Sequence, residues 1–412
     1  MRTLFIASIA TVLVTGILYA ETVYTKRKEN PLREGAGAYC ALIVSVPENT
    51  ALEVVAREGS WVKVQLPDKR SAWIAGNCLV EKKSDRMVVK PLSNVWSSPK
   101  ASKAGISAAI KGFGEKYGKT EPGNVELVLK YSEKDFSAAD LATFARDVRQ
   151  FPSANKGILA LDDLDLSNPE YYTTLPELEI GTGIAARLIQ KGVVDNKPLH
   201  RYVNMICATI AASGPFYDWD LTVFVLNEGT VNAFSVPGGY IFVTLGAIAQ
   251  CRDEADLAGM IAHEIAHVYR RHGMQEMSKR IANIKSDEAF AELDEEVGGM
   301  TEDEKEMEDL VDQTYEKIVH PRLLSYELEA DKVGIILLAN AGYDPFGLVR
   351  VCDQVARIPK EQPDIVDVNY MLPNDAMTRY KEMTTFANKH FKTKSPGARM
   401  SERFGSYKLS MK

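Results

Sequence analysis

Residues Ala262-His263-Glu264-Ile265-Ala266-His267 decide how this chain is read. Two imidazoles stand four positions apart, with a carboxylate directly after the first. At about 3.6 residues per turn, His263 and His267 lie one above the other on a single helix face, where both can reach one metal ion. Glu264 is turned slightly round that face, so its carboxylate can hold a water beside the metal rather than the metal itself. Leu257, Met260, Ile261, Ile265 and Val268 recur at helical spacing. Asp253, Glu254 and Asp256 crowd the start, where the helix dipole favours negative charge. Gly273 lies where such a helix is expected to stop. Taken by itself the motif also fits a surface helix with two solvated histidines.

A zinc ion that does chemistry has three protein ligands and an open fourth position. The third ligand is expected on a separate element, and Tyr326-Glu327-Leu328-Glu329-Ala330-Asp331 supplies a candidate. Glu327 and Asp331 share a helix face, and Ile335, Ile336 and Ala339 continue its apolar side. Glu327 is assigned as the ligand. Asp331 then hydrogen-bonds the outer nitrogen of a metal-bound histidine and fixes its tautomer. Without the histidines, Glu327, Glu329 and Asp331 read as a solvated acidic face.

The block from His263 to His267, the following Arg271-His272-Gly273, and Glu327-Leu328-Glu329-Ala330-Asp331 together resemble the HtpX/Oma-type zinc metallopeptidases of peptidase family M48. Asn232-Ala233-Phe234-Ser235-Val236-Pro237-Gly238-Gly239-Tyr240-Ile241-Phe242-Val243 is similar to the block that precedes the family's zinc helix. The resemblance covers Leu175 to Tyr343 well and the ends weakly. It implies a mainly α (α+β) zincin-type domain holding one zinc ion per chain through His263, His267 and Glu327, with Glu264 as general base. It also implies a polypeptide substrate lying against Pro237, Gly238, Gly239 and Tyr240, the last opening a strand that offers its edge to an extended peptide. On their own, the two glycines read as a turn. Two positions depart from the family pattern. Leu324 stands where many members have an arginine three residues before the ligand glutamate, the nearest arginine being Arg322. Leu372-Pro373-Asn374-Asp375-Ala376-Met377-Thr378-Arg379 lacks the histidine with which many soluble members hold themselves latent.

Outward from this centre, Thr222–Leu226 and Tyr240–Thr244 read as continuous apolar strands. One helix is expected to carry Leu178, Ile184, Leu188 and Ile189 and to end at Gly192. A second begins at Pro198 and buries Leu199, Val203, Ile206 and Ile210. Val125–Leu129 reads as a strand, followed by a helix capped by Ser137 with Asp140, whose buried stripe is Leu141, Phe144, Val148 and Phe151. Before these, Leu52–Val55, Trp61–Leu66 and Ser71–Ala75 read as strands, with a turn at Pro67–Arg70. Gly59–Val64 with Trp73-Ile74 resembles a bacterial SH3-like barrel, which implies a small all-β module that binds cell-wall peptide or a partner protein, or only stabilises. The expected organisation is therefore a leader at 1–20, an SH3-like β-domain at 37–82, an α/β connecting region at 83–155 and the metallopeptidase domain at 160–412.

Leu4 to Ala20 is an uncharged apolar run after Arg2, the pattern of a signal peptide. The alternative is an uncleaved inner-membrane anchor, since the run sits at the short edge of a membrane span. Lys26-Arg27-Lys28 just after it argues against a simple answer, because positive charge prefers the cytoplasmic side. Export to the bacterial periplasm or envelope is the expectation, with a role in protein quality control. A composition of 45% hydrophobic and 25% charged residues fits a globular protein, and the net charge of −7 gives no reason to expect nucleic acid. Five cysteines are too few for a disulfide scaffold, although Cys40 and Cys78 could pair in an oxidising compartment. Residues 286–312 are strongly acidic and join the two candidate metal-binding helices, so they read either as a solvated segment or as a lid. His272 reads as structural, and His200, His320 and His390 as ordinary surface or packing residues. Tyr326 and Arg322 are the nearest candidates for stabilising an oxyanion. An alternative function keeps a little-used zinc site in a chaperone-like or wall-binding protein.

Overall fold

Strong hydrophobic alternation near the N-terminus and helical periodicity beyond residue 125 divide the chain into two kinds of structure. The computed structural model describes residues 21–27, 29–83, 125–150, 175–273, 275, 323–357, 376–391 and 397–409. The apolar run at 1–20, the acidic segment at 286–312, Phe151, His320, Arg322 and Leu372–Asp375 lie outside these residues.

The N-terminal unit is a seven-stranded sheet of β1 (Thr22–Thr25), β2 (Glu29–Arg33), β3 (Leu42–Pro47), β4 (Ala51–Glu58), β5 (Trp61–Gln65), β6 (Ser71–Ala75) and β7 (Leu79–Val80). All pairings are antiparallel, in the order β3-β2-β6-β5-β4-β1-β7. Its core is Leu32, Val46, Leu52, Val62, Val64, Ala72, Ile74 and Cys78, all of them buried. The expected strands are present, and Lys69 takes a left-handed φ of 67° in the turn between β5 and β6. The expected barrel is not closed, because the sheet ends at β3 on one side and at the two-residue β7 on the other. It also takes in strands ahead of residue 37. Arg27 is buried there and pairs with Asp218 of the helical unit, so one of the three clustered cations has a structural partner. Cys40 and Cys78 are free thiols.

The helical unit is built from α1 (Val125–Ser132), α2 (Ala138–Arg149), α3 (Leu175–Leu188), α4 (Lys197–Ala211), β8 (Thr222–Leu226), β9 (Ala233–Val236), β10 (Tyr240–Thr244), α5 (Leu245–Gln250), α6 (Glu254–Tyr269), α7 (Leu324–Ala341), α8 (Phe346–Ala356), α9 (Ala376–His390) and α10 (Ser401–Leu409). Val125–Leu129 is helix, not the strand expected. Its short apolar run fits either period, and the helix buries Val128 in the cluster containing Ile184, Leu188 and Phe224. In α2 the Ser137–Asp140 capping box forms, and Leu141, Phe144 and Val148 join the main core. Asn196 caps α4 by accepting from Leu199 N–H. Asp253 caps α6 in the same way through Asp256 N–H at 3.0 Å.

All sixteen residues of α6 are buried, so it is the central helix of the fold and not a surface one. It stops at Tyr269, ahead of the expected Gly273, because Arg271 turns the chain with a left-handed φ of 53°. The small sheet runs β8-β10-β9, with β10 parallel to β8 and antiparallel to β9. The strand Tyr240–Thr244 is therefore central and offers no edge. Among the described residues, β9 carries the edge nearest α6. Gly238 has a φ of 80° in the Pro237–Gly239 turn between β9 and β10, a conformation that side chains resist.

The two units touch through polar contacts around Tyr217 and Asp218. Tyr217 O–H donates to Ser60 C=O at 3.0 Å and accepts from Asn77 N–H at 3.1 Å, while Asn77 Nδ2 donates to Asp218 at 2.8 Å. The Tyr217 ring meets Trp61 edge-on at 5.8 Å. Among the described residues, no helix is long and apolar enough to cross a membrane.

Candidate active site

Helix α6 presents His263 and His267 on one face, as the spacing requires, and α7 lies directly against that face. Gly334 makes the approach close. A Cβ there would sit 3.1 Å from the backbone nitrogen of His263, so a larger residue would push α7 away. Glu327 and Asp331, about two turns and one turn before Gly334 on α7, are thereby carried to the histidines.

The three candidate donors converge. His263 Nε2 and His267 Nε2 are 3.0 Å apart, and Glu327 lies 3.3 Å from each of them, through Oε2 and Oε1 respectively. Donors on a tetrahedral zinc with bonds of ~2.0–2.1 Å stand roughly 3.3 Å apart, so this set has the spacing and the chemistry of a two-histidine, one-carboxylate zinc site. All three side chains are buried.

Glu264, the residue after His263 and also buried, accepts a 3.0 Å hydrogen bond from Ser235 O–H. Ser235 belongs to β9, so the edge strand and the candidate base are tied together. Asp331 Oδ1 lies 3.0 Å from His263 Nδ1, although that ring N–H is not well aligned with it. This contact is close enough to set which ring nitrogen faces the donors.

Arg379 joins the site although no motif in the sequence marks it. From α9 it reaches Asp331 with Nε at 2.9 Å and Nη2 at 2.7 Å, and Glu327 with Nη1 at 2.8 Å. Leu324 leaves the expected arginine position empty of charge, and the guanidinium beside Glu327 comes instead from this other helix. Burial alone would raise the carboxyl of Glu327, but Arg379 and the histidines hold it well below the usual range. Asp331 is lowered against its burial by Arg379 in the same way. Burial would lower His263, yet Asp331 and Glu327 outweigh it and raise the imidazole to about 9. The site thus prefers positive charge at its centre, which a divalent ion supplies.

His272 is fully buried behind His267, with the two Nδ1 atoms 2.8 Å apart. Tyr326 stacks on the His272 ring at 4.4 Å, so its ring is taken up in packing next to the site. His200 and His390 serve packing, against Tyr131 at 4.5 Å and Phe386 at 4.6 Å. Pro237, Gly238, Gly239 and Tyr240 are all buried. A Cβ on Gly181 of α3 would overlap Pro237 C=O at 1.9 Å, so this turn is pressed onto α3. The Tyr240 hydroxyl lies 2.9 Å from Thr182 Oγ1, on that same side.

Residues 194–393 match Peptidase family M48. The chain is 29% identical over 201 residues to a putative beta-barrel assembly-enhancing protease of Vibrio cholerae, covering 46% of this chain and 40% of that protein. It is 35% identical over 124 residues to the mitochondrial metalloendopeptidase OMA1 of Arabidopsis thaliana, covering 30% and 23%. With the beta-barrel assembly-enhancing protease of Escherichia coli (strain K12) it shares 25% identity over 238 residues, covering 54% and 47%. The chain therefore spans less than half the length of each of these relatives. Three blocks in family order, a converging donor set and these likenesses lead to one conclusion: the chain carries, over residues 194–393, an Oma/HtpX-type domain of peptidase family M48.

Proposed function

We propose that the protein is a zinc-dependent endopeptidase that cleaves unfolded or misassembled polypeptides in a bacterial envelope. The observation that carries this reading is the convergence of His263, His267 and Glu327 beside a buried Glu264. His263, His267 and Glu327 are the residues that would hold the ion. Zinc, when bound, supplies Lewis acidity to a peptide carbonyl and to water. Glu264 takes the proton of the attacking water and delivers it to the leaving amine, while the Ser235 hydroxyl holds the carboxylate in line. Asp331 fixes His263, and Arg379 keeps both supporting carboxylates charged.

The substrate is an extended chain, because β9 is the edge strand tied to Glu264 and edge pairing reads backbone rather than sequence. Pro237, Gly238, Gly239 and Tyr240 then act by shaping the end of that strand. Residues 4–20 serve as an export signal, and the names of the bacterial relatives favour the envelope. The N-terminal sheet, an SH3-like unit in our assignment, is held on the peptidase domain through Arg27, Tyr217 and Asp218. The test is turnover of unfolded casein by purified protein with and without a zinc chelator. Cleavage that chelation abolishes and zinc restores is expected. Absence of cleavage by zinc-loaded protein, or cleavage indifferent to chelation, contradicts the reading.

A further inference from the structure

The two metal-facing histidines are backed differently. His263 has a carboxylate directly behind it, since Asp331 Oδ1 is 3.0 Å from Nδ1. His267 has another imidazole there, because its Nδ1 faces His272 Nδ1 at 2.8 Å. Two facing nitrogens at that distance need one proton between them. The zinc reading, on which this inference rests, assigns it: His267 faces the donor set with Nε2, so Nδ1 carries the hydrogen and donates to His272 Nδ1. The neutral His272 ring must then carry its own hydrogen on Nε2, which faces Glu329 Oε2 at 3.3 Å. Glu329 is in turn paired with Arg270 Nε at 2.9 Å. Tyr326 stacks parallel to His272, with 13° between the ring planes, and fixes the ring orientation this chain needs.

We propose that His272 and Glu329 form an outer relay that fixes the tautomer and ring plane of His267, so that both metal-facing histidines end on a carboxylate, one directly and one through a second imidazole. His272 and Glu329 are positioning residues in this arrangement; neither reaches the substrate. The sequence placed His272 next to the zinc helix but could not show that α7 brings Glu329 behind it.

The test is zinc affinity of the whole chain, measured by competition with a chromogenic chelator, with circular dichroism to confirm folding. His272→Leu keeps an apolar body but offers no acceptor, and is expected to weaken zinc binding ~10–100-fold. His272→Gln can accept from His267 and donate to Glu329 with one amide, and is expected to recover most of that loss. Glu329→Ala, at a side chain that is 39% exposed, is expected to fold normally and weaken binding by about tenfold or less. In the His272→Leu background, Glu329→Ala should add nothing, because its effect passes through the ring. Equal affinities for the Leu and Gln variants, a silent Glu329→Ala, or an undiminished effect of Glu329→Ala in the double variant would each overturn the relay. If His272→Leu does not fold, Glu329→Ala and His272→Gln decide the matter alone. A wild-type protein that takes up no zinc overturns the metal reading itself, and the relay with it.

Discussion

The two ends of helix α6 bury charge in opposite ways. At the N-terminal end, Asp253, Glu254 and Asp256 are almost fully buried, and their oxygens meet donors. Glu254 accepts from Tyr202 O–H at 2.8 Å, Tyr343 O–H at 2.6 Å and Arg403 Nε at 2.7 Å. Asp256 takes Arg350 Nε at 2.8 Å, and Asp253 takes Arg399 Nε at 2.6 Å. At the C-terminal end, His263, His267 and Glu327 aim their acceptor atoms at one another across 3.0–3.3 Å. Buried charge therefore does not by itself mark a functional site. A saturated cluster clamps α10 and the α7–α8 junction onto α6, whereas a cluster whose lone pairs converge is arranged for an ion.

The largest expected break in this contrast is Glu254→Ala. It leaves two tyrosine hydroxyls and Arg403 facing an empty, buried space, and should cost about 3–5 kcal/mol of unfolding free energy in urea titrations. Zinc affinity of the folded protein should be unchanged. A loss below about 1 kcal/mol would mean the saturated cluster is not a clamp.

Metal removal should act only at the other end. Free zinc at 100–1,000 times its dissociation constant stabilises the folded state by about 3–4 kcal/mol. Chelation should remove that increment from wild type and from Glu254→Ala alike. His263→Ala should lack the increment from the outset. An equal response to chelator in His263→Ala would place the ion elsewhere.

Arg379→Met sharpens the comparison because it removes a cation from the convergent end. Without metal it should destabilise by about 2–3 kcal/mol, since Glu327 and Asp331 lose charged hydrogen bonds. With zinc bound the cost should shrink, because the ion also compensates Glu327. The same cost with and without zinc would show that Arg379 serves packing alone. Arg399→Ala is the smallest case. Its side chain is 47% exposed and Asp253 keeps Arg350, so about 0.5–1 kcal/mol is expected.

What the sequence revealed follows from how local each feature is. The partnership of His263 with His267 is fixed by helix pitch, and the face shared by Glu327 and Asp331 by the same spacing, so both could be read before any fold was known. The capping box at Ser137 is equally local, and so is the acidic start of α6, where the structure makes Asp253 the N-cap. Val125–Leu129, with four apolar residues in five, fits a short helix as well as a strand, and only packing against Ile184 and Leu188 decides. The order β8-β10-β9 is encoded in no single strand, so the sequence points to Tyr240–Thr244 as the edge where the structure gives Ala233–Val236. Arg379 and Ser235 were invisible as site residues for the same reason. Each reaches the centre from an element that the motif does not contain.

The central claim is that Glu264 acts on substrate while His263, His267 and Glu327 hold the ion. Zinc content and casein cleavage, measured on the same preparations of wild type and Glu264→Gln, test it most directly. The account predicts one zinc per chain in both proteins and cleavage lower by roughly 10²–10⁴ in the variant. Zinc lost from Glu264→Gln, or cleavage kept by it, would contradict the assignment.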